Sequence, residues 1–345
     1  MKAIAYTRTG GPEVLEAVER ELPTPGPGEV RVRIVVSGVN PTDWKARAGG
    51  GGGAAGRALP RPQVPNQDGA GVVDAVGEGV TALSPGDRVW VWDAAWQRAD
   101  GTAQEQVVLP QRQVVALPAA ASFDLGASLG IPALTAHRTL TAREGGPGRL
   151  APGALAGETV LVAGGAGAVG HAAIQLAKWA GATVVTTISS AAKAKLARAA
   201  GADHVVDYRE QDVVAAAREL APEGVGTVVE VNPAANAAID TRVLAPGGTV
   251  AIYADDGSAD DVAIPIRPNM MTNARFQFVL TYTTTTAQKD DAVAAVAAAV
   301  ADGALPVGAG AGLPLTRFPL SETAAAHAAV EAGAVGKVLI DVTEA

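Results

Sequence analysis

Thr159-Val160-Leu161-Val162-Ala163-Gly164-Gly165-Ala166-Gly167-Ala168-Val169-Gly170 is the stretch on which the fold turns. A short apolar run enters a glycine turn, and a helical pattern follows over 169–180. Gly165, Gly167 and Gly170 spell G-x-G-x-x-G, which is weak evidence alone and gains its meaning from the strand before it and the helix after it. Bare backbone at such a turn lets a pyrophosphate approach, and the helix N-terminus offers free N–H groups with partial positive charge. Gly165, Ala166, Gly167, Ala168, Val169 and Gly170 are therefore candidate contacts to a dinucleotide.

The pattern continues C-terminally. A strand over 183–188 precedes a helix over 191–200 stopped by Gly201, and a strand over 204–207 leads to a helix over 213–220. A strand over 227–231, a further helix and the turn Gly247-Gly248 into a strand over 249–253 complete the series. Strands spaced by helices of this length build βαβ units and a doubly wound parallel sheet. The first third reads differently, as short strands punctuated by Gly and Pro. Val30, Val32 and Ile34 alternate with Arg31 and Arg33, the period of a half-buried strand. Further strands are expected over 71–76 and 88–91, and 49–56 reads as a glycine-rich loop. A closed or curled β domain suits this segment. The tail adds a strand over 276–282, helices over 290–301 and near 321–332, and a last strand over 337–342.

Composition sets outer limits. With 345 residues the chain fits two domains. A net charge of -8 argues against nucleic acid as the main partner, since phosphate binding needs a basic face. There are no cysteines, which excludes disulfides and thiolate metal sites and fits a reducing compartment. Neither a signal peptide nor a membrane span is legible, so a cytoplasmic location and no membrane partner are expected.

The end of the second strand of a nucleotide domain chooses between the two pyridine cofactors. A carboxylate there would hold a free ribose 2′-hydroxyl. Here Thr187-Ile188-Ser189-Ser190 is followed by Lys193, and hydroxyls with a lysine suit a 2′-phosphate. NADPH is the expected cofactor.

On further motifs the chain resembles the medium-chain dehydrogenase/reductase superfamily, and within it the zinc-independent quinone oxidoreductases related to zeta-crystallin. These motifs are Ser37-Gly38-Val39-Asn40-Pro41-Thr42-Asp43, Gly69-Ala70-Gly71-Val72-Val73, Gly86-Asp87-Arg88-Val89, Gly130-Ile131-Pro132-Ala133-Leu134-Thr135-Ala136-His137-Arg138 and Gly336-Lys337-Val338-Leu339-Ile340. The resemblance implies a GroES-like β-rich catalytic domain split around a Rossmann NADP-binding domain, with the cofactor in the cleft and the protein a homodimer. On that pattern residues 1–128 and 271–345 form the catalytic domain and 129–270 the Rossmann domain. Zinc-dependent relatives place Cys where Asn40 stands, His-Glu at Gln67-Asp68 and a further Cys near Ile131. Amides and an isoleucine do not replace those ligands, so a zinc-free reductase is expected.

Carried over residue by residue, the resemblance places Asn40 beside the nicotinamide and Thr135 at the same end of the cleft. Ser189, Ser190 and Lys193 match the adenosine-phosphate site, with Tyr208 bordering it. Ile252-Tyr253-Ala254 and Phe278-Val279-Leu280 match loops that meet the carboxamide, and Lys337 matches a position that approaches the cofactor. Trp44 stands where the family often carries a tyrosine shortly after the asparagine motif. Together with Trp92 and Trp96 it is a candidate for lining a flat pocket, which for Trp92 and Trp96 competes with closing the β-domain core. A quinone or enone accepting hydride develops negative charge on oxygen, so a donor must face it; Asn40 is the first choice and Asp43 the second. An ionised Asp43 would oppose that charge unless its pKa were raised. His137 and His171 are expected to pack or face solvent rather than react. The same residues also suit an alkenal or enoyl reductase acting on a carbon–carbon double bond, and more distantly a cofactor-regulated binding protein.

Overall fold

The computed structural model describes residues 1–50, 55–255 and 261–344, so the middle of the glycine-rich loop expected over 49–56, residues 51–54, lies outside the described residues. The chain forms two compact units, Met1–Ile131 with Pro314–Ala345, and Pro132–Leu313. Among the described residues no helix is long and apolar enough to cross a membrane.

The first unit opens with strands β1 (Lys2–Arg8), β2 (Glu16–Glu19) and β3 (Glu29–Val39), then helix α1 (Pro41–Ala48). Strands β4 (Ala58–Gln63), β5 (Asp68–Val76), β6 (Arg88–Val91), β7 (Gln106–Pro110) and β8 (Val114–Ala116) follow, with a short helix α2 (Phe123–Gly126). The alternation expected in β3 holds: Val30, Val32 and Ile34 are fully buried against Val89, Val107 and Leu109, while Arg31 and Arg33 face outward. One edge of β3 pairs β5 along its length, and the other takes β7 at 29–33. Two register shifts between β3 and β5 bend the strand. Such irregularities curl a sheet, which gives the GroES-like domain its form.

The second unit starts within α3 (Gly130–Leu140) and is built on β9 (Thr159–Ala163), α4 (Ala168–Trp179), β10 (Thr183–Ile188), α5 (Ala191–Ala199), β11 (His204–Asp207) and α6 (Val213–Leu220). It continues through β12 (Val225–Glu230), α7 (Pro233–Val243), β13 (Leu244–Ile252), α8 (Ile266–Thr272), β14 (Arg275–Phe278) and α9 (Thr286–Ala301). The six strands are all parallel, in the order β11-β10-β9-β12-β13-β14. That is the Rossmann order, with its reversal between β9 and β12. Leu161, Val185, Val228 and Val250 of the sheet pack under Val213 and Ala217 of α6 and form the core of one face.

The chain then returns to the first unit with β15 (Leu315–Pro319), α10 (Thr323–Glu331) and β16 (Lys337–Asp341), and β16 pairs the second half of β3. The return therefore falls at residue 314, not 271. Sheet pairing is the reason: β14 is hydrogen-bonded to β13, and α9 packs against α4, so residues 271–313 belong to the Rossmann unit. The tail strand expected over 276–282 stops at Phe278 and gives way to a helical turn at Thr281–Thr283. Gly247-Gly248 is not a turn ahead of a strand but lies inside β13, where pairing with β12 shifts register.

Candidate active site

In the Rossmann unit the glycine turn is shaped by close approach. A Cβ on Gly170 would stand 2.4 Å from the Gly164 carbonyl oxygen, so only glycine lets the first turn of α4 rest on the strand end. Gly167 differs: a Cβ there would meet only one atom, at 3.5 Å, and the space above it is open. Gly167 is the N-cap of α4 and has no side chain to satisfy the first backbone N–H groups. These donors and the helix dipole face the place where an anion would lie.

At the end of β10 the expected phosphate residues come together. Ser190 is the N-cap of α5, its Oγ accepting from Lys193 N at 3.3 Å, and Lys193 Nζ donates to Ser189 Oγ at 3.1 Å. A cavity of about 420 Å³ lies at the C-terminal ends of β9, β10 and β12 and is lined by Ala163, Gly164, Thr187, Tyr208, Glu230 and Asn232 among others. This is the topological switch point of the sheet, where open α/β folds bind ligands. Tyr208 is 53% exposed on that wall, so it is not a core residue. A second cavity, at the ends of β13 and β14, brings Ile252, Tyr253 and Ala254 together with Phe278, Val279 and Leu280. Thr135 on α3 bonds Thr281 at 2.6 Å, one residue beyond Leu280.

In the β-rich unit three strand ends meet. Asn40 follows the last residue of β3, Asp68 opens β5 and Lys337 opens β16, and these strands are antiparallel neighbours. Lys337 Nζ donates to Asn40 Oδ1 at 2.7 Å, Asn40 Nδ2 donates to Asp68 Oδ2 at 2.7 Å, and the Ile131 backbone N–H donates to Asp68 Oδ1 at 2.9 Å. Lys337 and Asp68 also pair directly at 3.5 Å. Burial pushes the Asp68 carboxyl up while Lys337 and Asn40 oppose it; burial pushes Lys337 down while Asp68 opposes it. Asp43 sits at the third position of α1, its Oδ2 accepting the Asn40 backbone N–H at 2.7 Å. Burial, and then the charge of Asp68, push its carboxyl up to about 8, meeting the condition set for it above.

One expectation changes, while the Lys337 ammonium is engaged by Asn40 and Asp68. Trp92 is only 1% exposed in the β-domain core, with Arg112 over its ring, because it directly follows β6 and keeps the inward direction of the fully buried Trp90 two residues earlier. Any lining role falls to Trp44 and Trp96, which are half-buried. His137 accepts from Leu150 N, and His171 bonds the Ala311 carbonyl; burial lowers both to about 4, as befits packing residues. Asp68 was not singled out as a functional residue; its signal was a carboxylate opening the strand β5.

Two family models match, one described as alcohol dehydrogenase GroES-like domain over residues 26–119 and one as zinc-binding dehydrogenase over residues 168–307. The quinone oxidoreductase of Lama guanicoe is 30% identical over 344 residues, covering 99% of this chain and 97% of that protein. The chain belongs to the quinone oxidoreductase family of medium-chain dehydrogenases/reductases. Among solved structures of this kind, a mycobacterial protein complexed with NADPH superposes with a TM-score of 0.80 at 32% identity, over 99% of each chain. A protein described as an NAD-dependent alcohol dehydrogenase reaches a TM-score of 0.82 at 30% identity, over 99% of this chain and 100% of that one. As a member of this family the chain is an oxidoreductase. Zinc does not fit its donor set: Asn40, Asp68 and a lysine ammonium stand together, and among the described residues no group of three His, Cys, Asp or Glu could hold a metal.

Proposed function

We propose that this quinone oxidoreductase family member is a zinc-independent reductase that uses NADPH to reduce a quinone or similar conjugated carbonyl in the cytoplasm. The observation that carries the reading is the Ser189–Lys193 contact beside the capped N-terminus of α5, at the point where an NAD-specific protein would present a carboxylate. The open backbone above Gly167 and the N–H groups of Ala168 to Gly170 suit the pyrophosphate, with Tyr208 beside the adenosine end. The two chain segments around Tyr253 and Val279 and the Thr135 hydroxyl are assigned to the nicotinamide end.

The bound dinucleotide supplies the hydride. The side chains supply placement and electrostatics. Asn40 is the proposed hydrogen-bond donor to the acceptor oxygen as negative charge grows on it, and water completes protonation. Asp43, protonated below about pH 8, adds no opposing charge beside that oxygen. Trp44 and Trp96 are the aromatic faces left for a flat acceptor. We further propose a homodimer through the free edge of β14, where Ile266, Met270 and Met271 of α8 are exposed.

The decisive assay is NADPH oxidation with 1,4-benzoquinone, 1,4-naphthoquinone, methyl vinyl ketone and trans-2-hexenal, followed by product identification. Reduced quinones with NADPH preferred over NADH are expected. Saturated ketone or aldehyde as the only product would shift the assignment to carbon–carbon double-bond reduction, and no turnover with any acceptor would refute it.

A further inference from the structure

We infer that Asp68 and Lys337 are positioning residues that lock the Asn40 carboxamide in one orientation and leave its second N–H as the working donor; this rests on the reading of Asn40 as the donor given above. The amide is held from both ends by groups of opposite charge. Its oxygen accepts from the Lys337 ammonium and its nitrogen donates to the Asp68 carboxylate, each at 2.7 Å. Flipping the amide would aim N–H groups at an ammonium and an oxygen at a carboxylate, so both contacts would become repulsive. An amide nitrogen carries two hydrogens, and Asp68 takes one. Among the described residues no acceptor is recorded for the other.

The fold goes to some length to house this arrangement. Asn40, Asp68 and Lys337 are all fully buried or nearly so, at 2%, 0% and 2% exposure. Gly38, between the neighbouring strands, leaves room for the lysine stem: a Cβ there would stand 3.0 Å from Lys337 Cε and 2.1 Å from the Ala127 carbonyl oxygen. Gly130 does the same for the acid, since its Cβ would fall 2.0 Å from Asp68 Oδ1. A second donor, the Ile131 N–H, then fixes that carboxylate oxygen. Stability alone does not call for the pair, because a buried ion pair seldom outperforms apolar residues of the same volume. What the pair supplies that apolar residues cannot is a single amide orientation. Burial also strengthens the remaining N–H, since its hydrogen bond would form away from bulk water.

The test compares the wild type with Asn40→Ala, with the double variant Asp68→Asn/Lys337→Met and with Lys337→Arg, reading kcat and KM for NADPH and for 1,4-benzoquinone alongside thermal unfolding. The double variant removes both charges and keeps the volume. It is expected to fold and to keep KM for NADPH, while kcat falls by nearly as much as in Asn40→Ala, on the order of 10-fold to 100-fold. A folded double variant with wild-type kcat, beside an impaired Asn40→Ala, overturns the inference and leaves the donor reading standing. An Asn40→Ala protein with wild-type kcat removes the donor reading itself. Lys337→Arg keeps the charge and covers the case in which the double variant does not fold. A guanidinium cannot reproduce the single-point contact in the space beside Gly38, so kcat is expected to drop several-fold with KM for NADPH unmoved. Wild-type kcat in Lys337→Arg overturns the inference as well.

Discussion

The 3.1 Å contact from Lys193 Nζ to Ser189 Oγ is where a single side chain bears most on cofactor choice. Lys193 is half-buried on the first turn of α5, and Ser190 caps the same turn, so the ammonium is held near the helix N-terminus rather than swinging in solvent. A hydrogen bond to a charged group is worth about 1.5–3 kcal/mol, or roughly 10-fold to 100-fold in affinity. Lys193→Ala is therefore expected to raise KM for NADPH about 10-fold or more and to leave KM for NADH nearly unchanged. Steady-state kinetics with both cofactors checks this, and an equal rise for the two would remove Lys193 from the phosphate site. This part of the site was legible in the sequence because it lies within a few consecutive residues. The Asn40, Asp68 and Lys337 cluster was not assembled from sequence: its members are 28 and 297 residues apart along the chain from Asn40, and only strand pairing brings them together.

At the scale of elements, β12 and α7 carry a buried carboxylate pair that the proposed chemistry does not use. Glu230, at the end of β12, accepts from the Asn232 backbone N–H and from Asn236 Nδ2, and it shares a hydrogen bond with Asp240 of α7. Burial, and then the charge of Glu230, push Asp240 up to about 9. The folded state thus holds a proton that the unfolded chain releases near the ordinary aspartate value. Its stabilising effect is complete at acid pH and is lost as pH rises toward about 9. Asp240→Asn keeps a donor for Glu230 and removes this titration. Its melting temperature relative to wild type is expected to rise steadily between pH 5 and pH 9, by calorimetry at fixed ionic strength; a constant difference would show that Asp240 does not carry the proton. Most elements were legible because their patterns are local, as with β9, β10, β11 and α6. One that was not is β4, which holds Pro60 and Pro62 and reads as a poor strand; it is tolerated at the edge of its three-stranded sheet, where a missing N–H leaves no partner wanting.

For the whole molecule, the Rossmann sheet ends at β14, one edge of which is unpaired among the described residues. Beside it Ile266, Met270 and Met271 are exposed at 70–76%, an apolar cluster that soluble proteins usually cover. The proposed homodimer would cover it by joining two such edges about a two-fold axis. Sedimentation velocity is expected to show a dimer for the wild type and a shift toward monomer for Met271→Glu. A wild-type monomer at tens of micromolar would dispose of the proposal.

Sequence alone determined the Rossmann unit, its glycine turn and the hydroxyl-lysine group, because each depends on contacts between near neighbours whose spacing the chain writes out directly. The short strands of the first third marked a β-rich domain, and the resemblance in short motifs supplied its GroES-like form and its split around the Rossmann unit. Tertiary structure decided where the chain returns to that domain, since β14 pairs with β13 whatever its local pattern says. It also decided that Trp92 packs inward and that Lys337 turns to Asn40 and Asp68. Burial and opposite charge set those directions, and both are properties of the assembled strands rather than of any one segment.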